Sequence, residues 1–412
     1  MNKGAVKRDR WSVIAAYALV AAANQLLWVT FTPLTTPAAH AYGVSASDIG
    51  WLAEIFPLLY VLLAVPAASL LDRWFRPSLV VGALLSSAGG ALRVVEGTFA
   101  LVMAGQVLVA LGQPLVLNAI TGLASAYLKP ASRPAGIAVG SAGIFLGMLV
   151  SLVLGSALGG AQIHTILMLG ALLSLLPTLY LLTVLAVGEH PPMVGNLTGR
   201  DGLTVVWRDL VIRRLAMVAF VGFGLFVALT TWLQTLLKPG GVSASTSGWL
   251  LVGAMTTGVL AAALLPPPVI RTRTSSRMFL IAAGGAAGAF VLLATWPSAA
   301  PAAIACGVIG FLLLSALPVL LEVSEHRAGS AGTSATALIW LSGNAGAIVI
   351  AVLVQIFESQ PTLAFLIMAA IALLGMMVVP RGVLHQVSGA GAGGGLVKSD
   401  TGPGEEPALI AG

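Results

Sequence analysis

Ionisable residues are scarce in this chain: 8% are Asp, Glu, Lys or Arg, against 58% that are apolar. A water-soluble fold of 412 residues needs far more polar surface than that to cover its core, so a soluble domain is excluded and lipid is the implied solvent. The single cysteine, Cys306, excludes an internal disulfide and a thiolate metal cluster, and reads as a small apolar packing residue. His40, His164, His190, His326 and His385 all fall in loops or at the ends of apolar runs, so no metal-spaced group and no Ser-His-Asp arrangement is in view. No glycine-rich phosphate loop precedes a lysine, which argues against an ATP-driven pump. Neither enzymatic activity nor a resident cofactor or metal is expected.

What the chain does have is long apolar runs. About 20 residues at a rise of 1.5 Å cross a hydrocarbon core of roughly 30 Å. Twelve such runs are predicted, at 11–34, 50–71, 77–95, 99–127, 134–156, 163–187, 213–237, 247–266, 278–296, 300–322, 331–354 and 361–380. Backbone polar groups in lipid must be satisfied within the segment, so the runs are expected to be helical; they are too long and too little alternating for barrel strands. The first run is longer than a signal peptide needs and is followed directly by the next.

The net charge of +6 suggests nucleic acid only until its distribution is read. With the N-terminus in the cytoplasm, eighteen of the twenty lysines and arginines fall on the cytoplasmic side, and only Arg93 and Lys238 fall on the other, near the outer surface. That is the positive-inside bias of a multi-pass protein with an even number of spans and both termini cytoplasmic, placed in the plasma (inner) membrane. The lipid bilayer and a small-molecule substrate are the expected partners; nucleic acid is not, and a monomer is expected to suffice.

Residues 43–52 (GVSASDIGWL) and 241–250 (GVSASTSGWL) agree at eight of ten positions at an offset of 198, each in an outside loop leading into an even-numbered span. Two six-helix halves related by a parallel repeat would produce this spacing. The expected organisation is a six-helix bundle over 1–187, a cytoplasmic linker at 188–212 rich in Gly and Pro, a second six-helix bundle over 213–385, and a disordered tail at 386–412 whose glycines cannot build a core.

Between the second and third runs stands Leu71-Asp72-Arg73-Trp74-Phe75-Arg76-Pro77, a carboxylate followed by cations in a tight turn. It resembles the loop signature of the major facilitator superfamily, Gly-x-x-x-Asp-Arg-x-Gly-Arg, with Ala68 and Phe75 in place of the two glycines. Asp72, Arg73 and Arg76 are candidate gating residues that would latch the cytoplasmic side, with Glu322 and Glu325 as their counterparts on the other half. The resemblance implies an all-α membrane protein of twelve transmembrane helices in two pseudo-symmetric six-helix bundles, the major facilitator fold.

A narrower resemblance is carried by Trp28, Tyr42-Gly43-Val44, Asp48, Trp51-Leu52, Pro66, Leu70-Leu71-Asp72, Gly105-Gln106, Gln113 and Gly332-Thr333-Ser334. At these spacings the chain is similar to the feline leukaemia virus subgroup C receptor-related transporters, which carry choline and related amines and to which haem export has also been assigned. The resemblance implies that Trp28 faces a bound cation and that Gln113 shares its site. Two positions depart: a tyrosine of the family's seventh span is Phe226 or Val227 here, and a glutamine of its eleventh span is Gly343 or Asn344.

The repeat reaches the same region independently, because Trp28 displaced by 198 falls on Phe226. Two aromatic walls in pseudo-symmetric spans suit a quaternary ammonium, with a cation–π attraction of roughly 2 kcal/mol when desolvated. Trp28, Gln113, Phe226 and Asn344 are therefore the candidate substrate-binding residues. Glycines 136, 140, 143, 147, 155 and 159 in the fifth run stand at the small-xxx-small spacing of close helix packing. No Asp or Glu is expected at mid-depth, so a central proton-coupling carboxylate is not. The expected function is secondary transport of a small organic solute, such as choline or a related cation, by alternating access. A broad drug or metabolite efflux facilitator and a non-transporting receptor or scaffold are the alternatives.

Overall fold

The computed structural model describes residues 9–95, 98–159, 162–187 and 199–380. The tail at 386–412, linker residues 188–198 and the cations at 3, 7, 8, 381 and 398 lie outside them. The described residues form helices joined by short turns: α1 (Trp11–Trp28), α2 (Thr35–Tyr42), α3 (Ala46–Leu92), α4 (Phe99–Leu117), α5 (Ala119–Tyr127), α6 (Arg133–Leu158), α7 (Ile163–Ala186), α8 (Gly199–Arg208), α9 (Leu210–Leu237), α10 (Ala244–Leu264), α11 (Pro266–Arg271), α12 (Ser275–Thr295), α13 (Ala299–Ala328), α14 (Gly332–Ile356) and α15 (Pro361–Val378).

Ten helical segments among them are long and apolar enough to cross a membrane, so this is a multi-pass integral membrane protein. Two of the ten are unusually long, 45 residues at Asp48–Leu92 and 58 residues at Ala299–Ile356. The first joins the predicted runs 50–71 and 77–95. A single non-helical residue, Trp74 (φ −137°, ψ 60°), makes the break inside α3, and Ser78 Oγ reaches back to the Leu70 carbonyl at 3.0 Å. The turn is too tight to show as a loop. The predicted run 99–127 is likewise divided at Asn118, four residues beyond Pro114.

The repeated decapeptide folds the same way twice. Gly43 (φ 65°) and Gly241 (φ 78°) each take the left-handed conformation that a side chain rarely adopts, and each ends a helical turn. Two residues on, Ser45 and Ser243 cap the next helix, their hydroxyls accepting from the backbone N–H of Asp48 and Thr246, both at 3.1 Å. Asp48 completes a reciprocal box at the first site only, where its carboxylate accepts from Ser45 N at 2.9 Å. The four positions obey the offset of 198 found in the sequence.

Glycines set the closest helix crossings, as their spacing predicted. Gly143 and Gly147 of α6 lie against the backbone carbonyls of Ala18 and Ala22 in α1, and Gly346 of α14 lies against that of Phe220 in α9. Ala22 and Phe220 again stand 198 residues apart. Between the first seven helices and the rest, α3 packs on α14, and α6 packs on α10 and α13.

The linker is not wholly irregular. Its second part is α8, which packs against α3 and α14 with Val206 fully buried. Leu203 of α8 lines a small cleft together with Val65 and Ala68 of α3 and Ser334, Ala337, Leu338 and Leu341 of α14. Asp209 then starts α9, three residues before the predicted boundary, accepting from the N–H groups of Val211 and Ile212 at 2.8 and 3.1 Å and from Arg327 Nε at 2.7 and 2.9 Å. Burial pushes the Asp209 carboxyl up, but Arg327 and the helix N-terminus outweigh it and hold the group below its ordinary range.

Candidate functional site

A cavity lies among α9, α12, α13, α14 and α15 and is completed by Phe145 of α6. Its wall is carbon almost throughout, with Phe145, Phe223, Phe226, Phe279 and Trp340 supplying aromatic rings. Among the described residues no ionisable side chain lines it. Phe226, one of the four sequence candidates, is in the wall and 1% exposed. Phe145, Phe223, Phe279 and Trp340 were not among the sequence candidates, although Trp340 stands one turn before Asn344; an aromatic in an apolar run carries no mark separating a cavity wall from ordinary packing.

The other three candidates are buried but outside this wall. The Trp28 indole N–H donates to the Ala53 carbonyl at 2.9 Å, and its ring stacks on Phe56 at 5.8 Å between centroids. Asn344 Nδ2 donates to the Trp340 carbonyl of its own helix at 2.9 Å. Gln113 is 1% exposed and its Oε1 has no hydrogen-bond partner. Of the other amide and hydroxyl side chains in these helices, Asn24, Gln25, Gln106 and Asn118 are buried, whereas Thr231 and Gln234 are exposed.

Asn118 Oδ1 accepts from the Tyr60 hydroxyl of α3. The Tyr60 ring is 6.4 Å from that of Trp340, which meets Phe223 edge-on at 5.8 Å. Rings from α3, α14 and α9 thus adjoin one another, the last two lining the cavity. Nearby, Thr121 of α5 and Thr336 of α14 share a 2.6 Å hydrogen bond across the two groups of helices.

Arg93 ends α3, at the end of the third predicted run, and its side chain is 1% exposed. Its Nη1 donates to Gln106 Oε1 at 2.7 Å and to the Leu27 carbonyl at 2.9 Å, while Gln106 Nε2 donates to the carbonyls of Trp28 and Leu52 at 3.2 and 2.9 Å. The pair satisfies carbonyls that the end of α1 leaves open, where the helix dipole favours a cation. Without such acceptors a buried guanidinium would be too costly to keep.

At the linker end of the bundle, Arg73 lies over the Trp74 ring at 4.5 Å. Arg76 Nε donates to the Tyr127 hydroxyl at 3.0 Å, and Asp72 also has a partner. Glu322 and Glu325 of α13 are within electrostatic reach of Arg133, the first residue of α6. The charges that meet across α13 and α6 therefore include Arg133, which the loop signature did not indicate.

A family model of the Major Facilitator Superfamily matches residues 13–351. The zebrafish (Danio rerio) protein named solute carrier family 49 member A3 is 27% identical over 263 residues, 59% of this chain and 55% of the relative. The human (Homo sapiens) choline/ethanolamine transporter FLVCR2 is 28% identical over 157 residues, 36% of this chain and 30% of the relative. The chain thus spans about half or less of the length of these curated relatives. Among solved structures, the human organic anion transporter MFSD10 superposes with a TM-score of 0.72 at 17% identity, covering 90% of this chain and 99% of the other. The transporter FucP in its outward conformation gives 0.71 at 16% identity, covering 89% and 98%. At such identities the structures speak for the fold alone. The sequence relatives agree with the narrower resemblance read from Trp28 to Ser334.

Proposed function

Since the chain belongs to the Major Facilitator Superfamily, whose members are transporters and not enzymes, we propose that it carries a small organic cation of the choline or ethanolamine class by alternating access. The observation that carries this reading is the aromatic wall of the cavity, Phe145, Phe223, Phe226, Phe279 and Trp340. Ring faces bind a quaternary or primary ammonium without a counter-charge, at roughly 2 kcal/mol or more once water is excluded. The carbon-rich remainder of the wall also favours a second reading, a facilitator for varied apolar cargo.

In this proposal the segments of 45 and 58 residues each cross twice, giving twelve spans in two six-helix halves, over 1–187 and 213–385, joined by the linker at 188–212. Both termini face the cytoplasm of the plasma (inner) membrane, and the monomer is the working unit. The twin Ser-capped turns and the matched glycine crossings support the repeat. Phe226 forms the chamber with Trp28, Gln113 and Asn344 along the path to it. Asp72, Arg73, Arg76, Glu322 and Glu325, with Arg133, gate the linker end.

Uptake of labelled choline into proteoliposomes, measured beside a panel of neutral solutes, tests the reading. Saturable choline flux is expected, with KM raised roughly 3- to 30-fold in Phe226→Ala, the loss of one cation–π face. Equal flux of all solutes would favour the broad facilitator. Rocking is tested separately with Thr121→Cys/Thr336→Cys: the two positions adjoin across the halves, and Cys306 is buried and does not compete. Oxidation is expected to stop flux and reduction to restore it; flux unaffected by a demonstrated cross-link would refute the moving seam.

A further inference from the structure

Trp340 is the one residue lining the cavity whose side chain carries a polar atom. Its indole Nε1–H is buried and has no hydrogen-bond partner, in a residue only 2% exposed. Two other tryptophans provide the comparison: Trp28 and Trp232 donate from Nε1 to the carbonyls of Ala53 and Ala351 at 2.9 and 3.0 Å. Buried indole N–H groups in this protein are thus paired where a backbone acceptor is at hand, and the one at the cavity is left open. The ring cannot readily turn to find an acceptor elsewhere. Phe223 meets it edge-on and Tyr60 lies against it from the other half. A fixed, dehydrated donor on a ring that lines an otherwise carbon wall selects for an acceptor.

We infer that Trp340 Nε1–H is a specificity-determining donor to an oxygen on the cargo, which therefore joins a compact ammonium or apolar body to a hydroxyl, ether or carbonyl group. The inference rests on the proposed transport reading for its cargo, but the donor and the charge are separable by experiment.

Four probes separate them when their binding to the full-length protein in lipid nanodiscs is measured by calorimetry. Choline has charge and oxygen, ethyltrimethylammonium charge alone, 3,3-dimethylbutan-1-ol oxygen alone, and 2,2-dimethylbutane neither. In the wild type, each oxygen-bearing probe is expected to bind roughly tenfold tighter than its oxygen-free counterpart, the worth of one hydrogen bond in a dry site. Trp340→Phe is expected to erase that preference while ethyltrimethylammonium still binds, weakened a few-fold by the exchange of an indole for a phenyl face, which also reports an intact fold. An oxygen preference that survives Trp340→Phe, or is absent from the wild type, overturns the inference. An oxygen preference lost in the variant, with no advantage for choline over the neutral alcohol, sustains it and overturns the cation reading instead. Failure of both oxygen-bearing probes to bind overturns both.

Discussion

Gly147→Ala and Gly346→Ala are each expected to destabilise the protein by about 2 kcal/mol, whereas Gly253→Ala and Gly288→Ala leave it unchanged or slightly more stable. A Cβ at position 147 would collide with the carbonyl oxygen of Ala22, and one at 346 with that of Phe220. Neither obstacle is a side chain that could rotate away; both are helix backbone, so whole helices must separate. At Gly253 and Gly288 a Cβ meets nothing within 4 Å. There the gain from helix propensity, up to about 1 kcal/mol, is unopposed. Thermal unfolding of the four variants in one detergent makes the comparison. Equal melting temperatures across the set would show that the crossings of α6 on α1 and α14 on α9 are looser than described.

Arg93→Met is expected to cost about 2–3 kcal/mol, although the substitution is nearly isosteric and removes a charge from an apolar setting. The reason is what it strands: Gln106 Oε1 and the Leu27 carbonyl both lose a charged donor that approaches to 2.9 Å or less. Arg93→Lys should recover only part of the loss, since the lysine ammonium ends one bond short of Nη1, the nitrogen that serves both acceptors. Arg73→Met, at an exposed position over Trp74, is the control and should be near neutral. If Arg93→Met unfolds no earlier than Arg73→Met, the clamp at the end of α1 contributes nothing.

The lipid-facing half of the problem was legible because it depends on composition. Apolar runs of membrane length can only be helices, and the offset of 198 between two decapeptides led to turns that the structure folds alike. Glycine spacing in α6 foretold which face meets α1, since only glycine lets two backbones come that close. The breaks were less visible: the turn inside α3 occupies the one residue Trp74, and no stretch of polar residues announces it. One member of the cavity wall was among the residues the sequence singled out. The repeat carried Trp28 onto Phe226, which lines the cavity, but the helix rotation that brings Phe145, Phe223, Phe279 and Trp340 to the same space is a property of packing. The position of Arg93 at the end of an apolar run was legible, but its burial was not, because the acceptors that hold it lie up to 66 residues away in sequence.

The chamber's uncharged wall has an electrical consequence. A carrier that takes up an ammonium ion there gains one positive charge, and the empty carrier goes back with none, so the loaded step alone feels the membrane voltage. A potential of 100 mV works on one charge with about 2.3 kcal/mol, enough by itself to concentrate the ion roughly 50-fold without any coupled proton. Such a carrier would be a battery-driven one, its direction set by the sign of the potential.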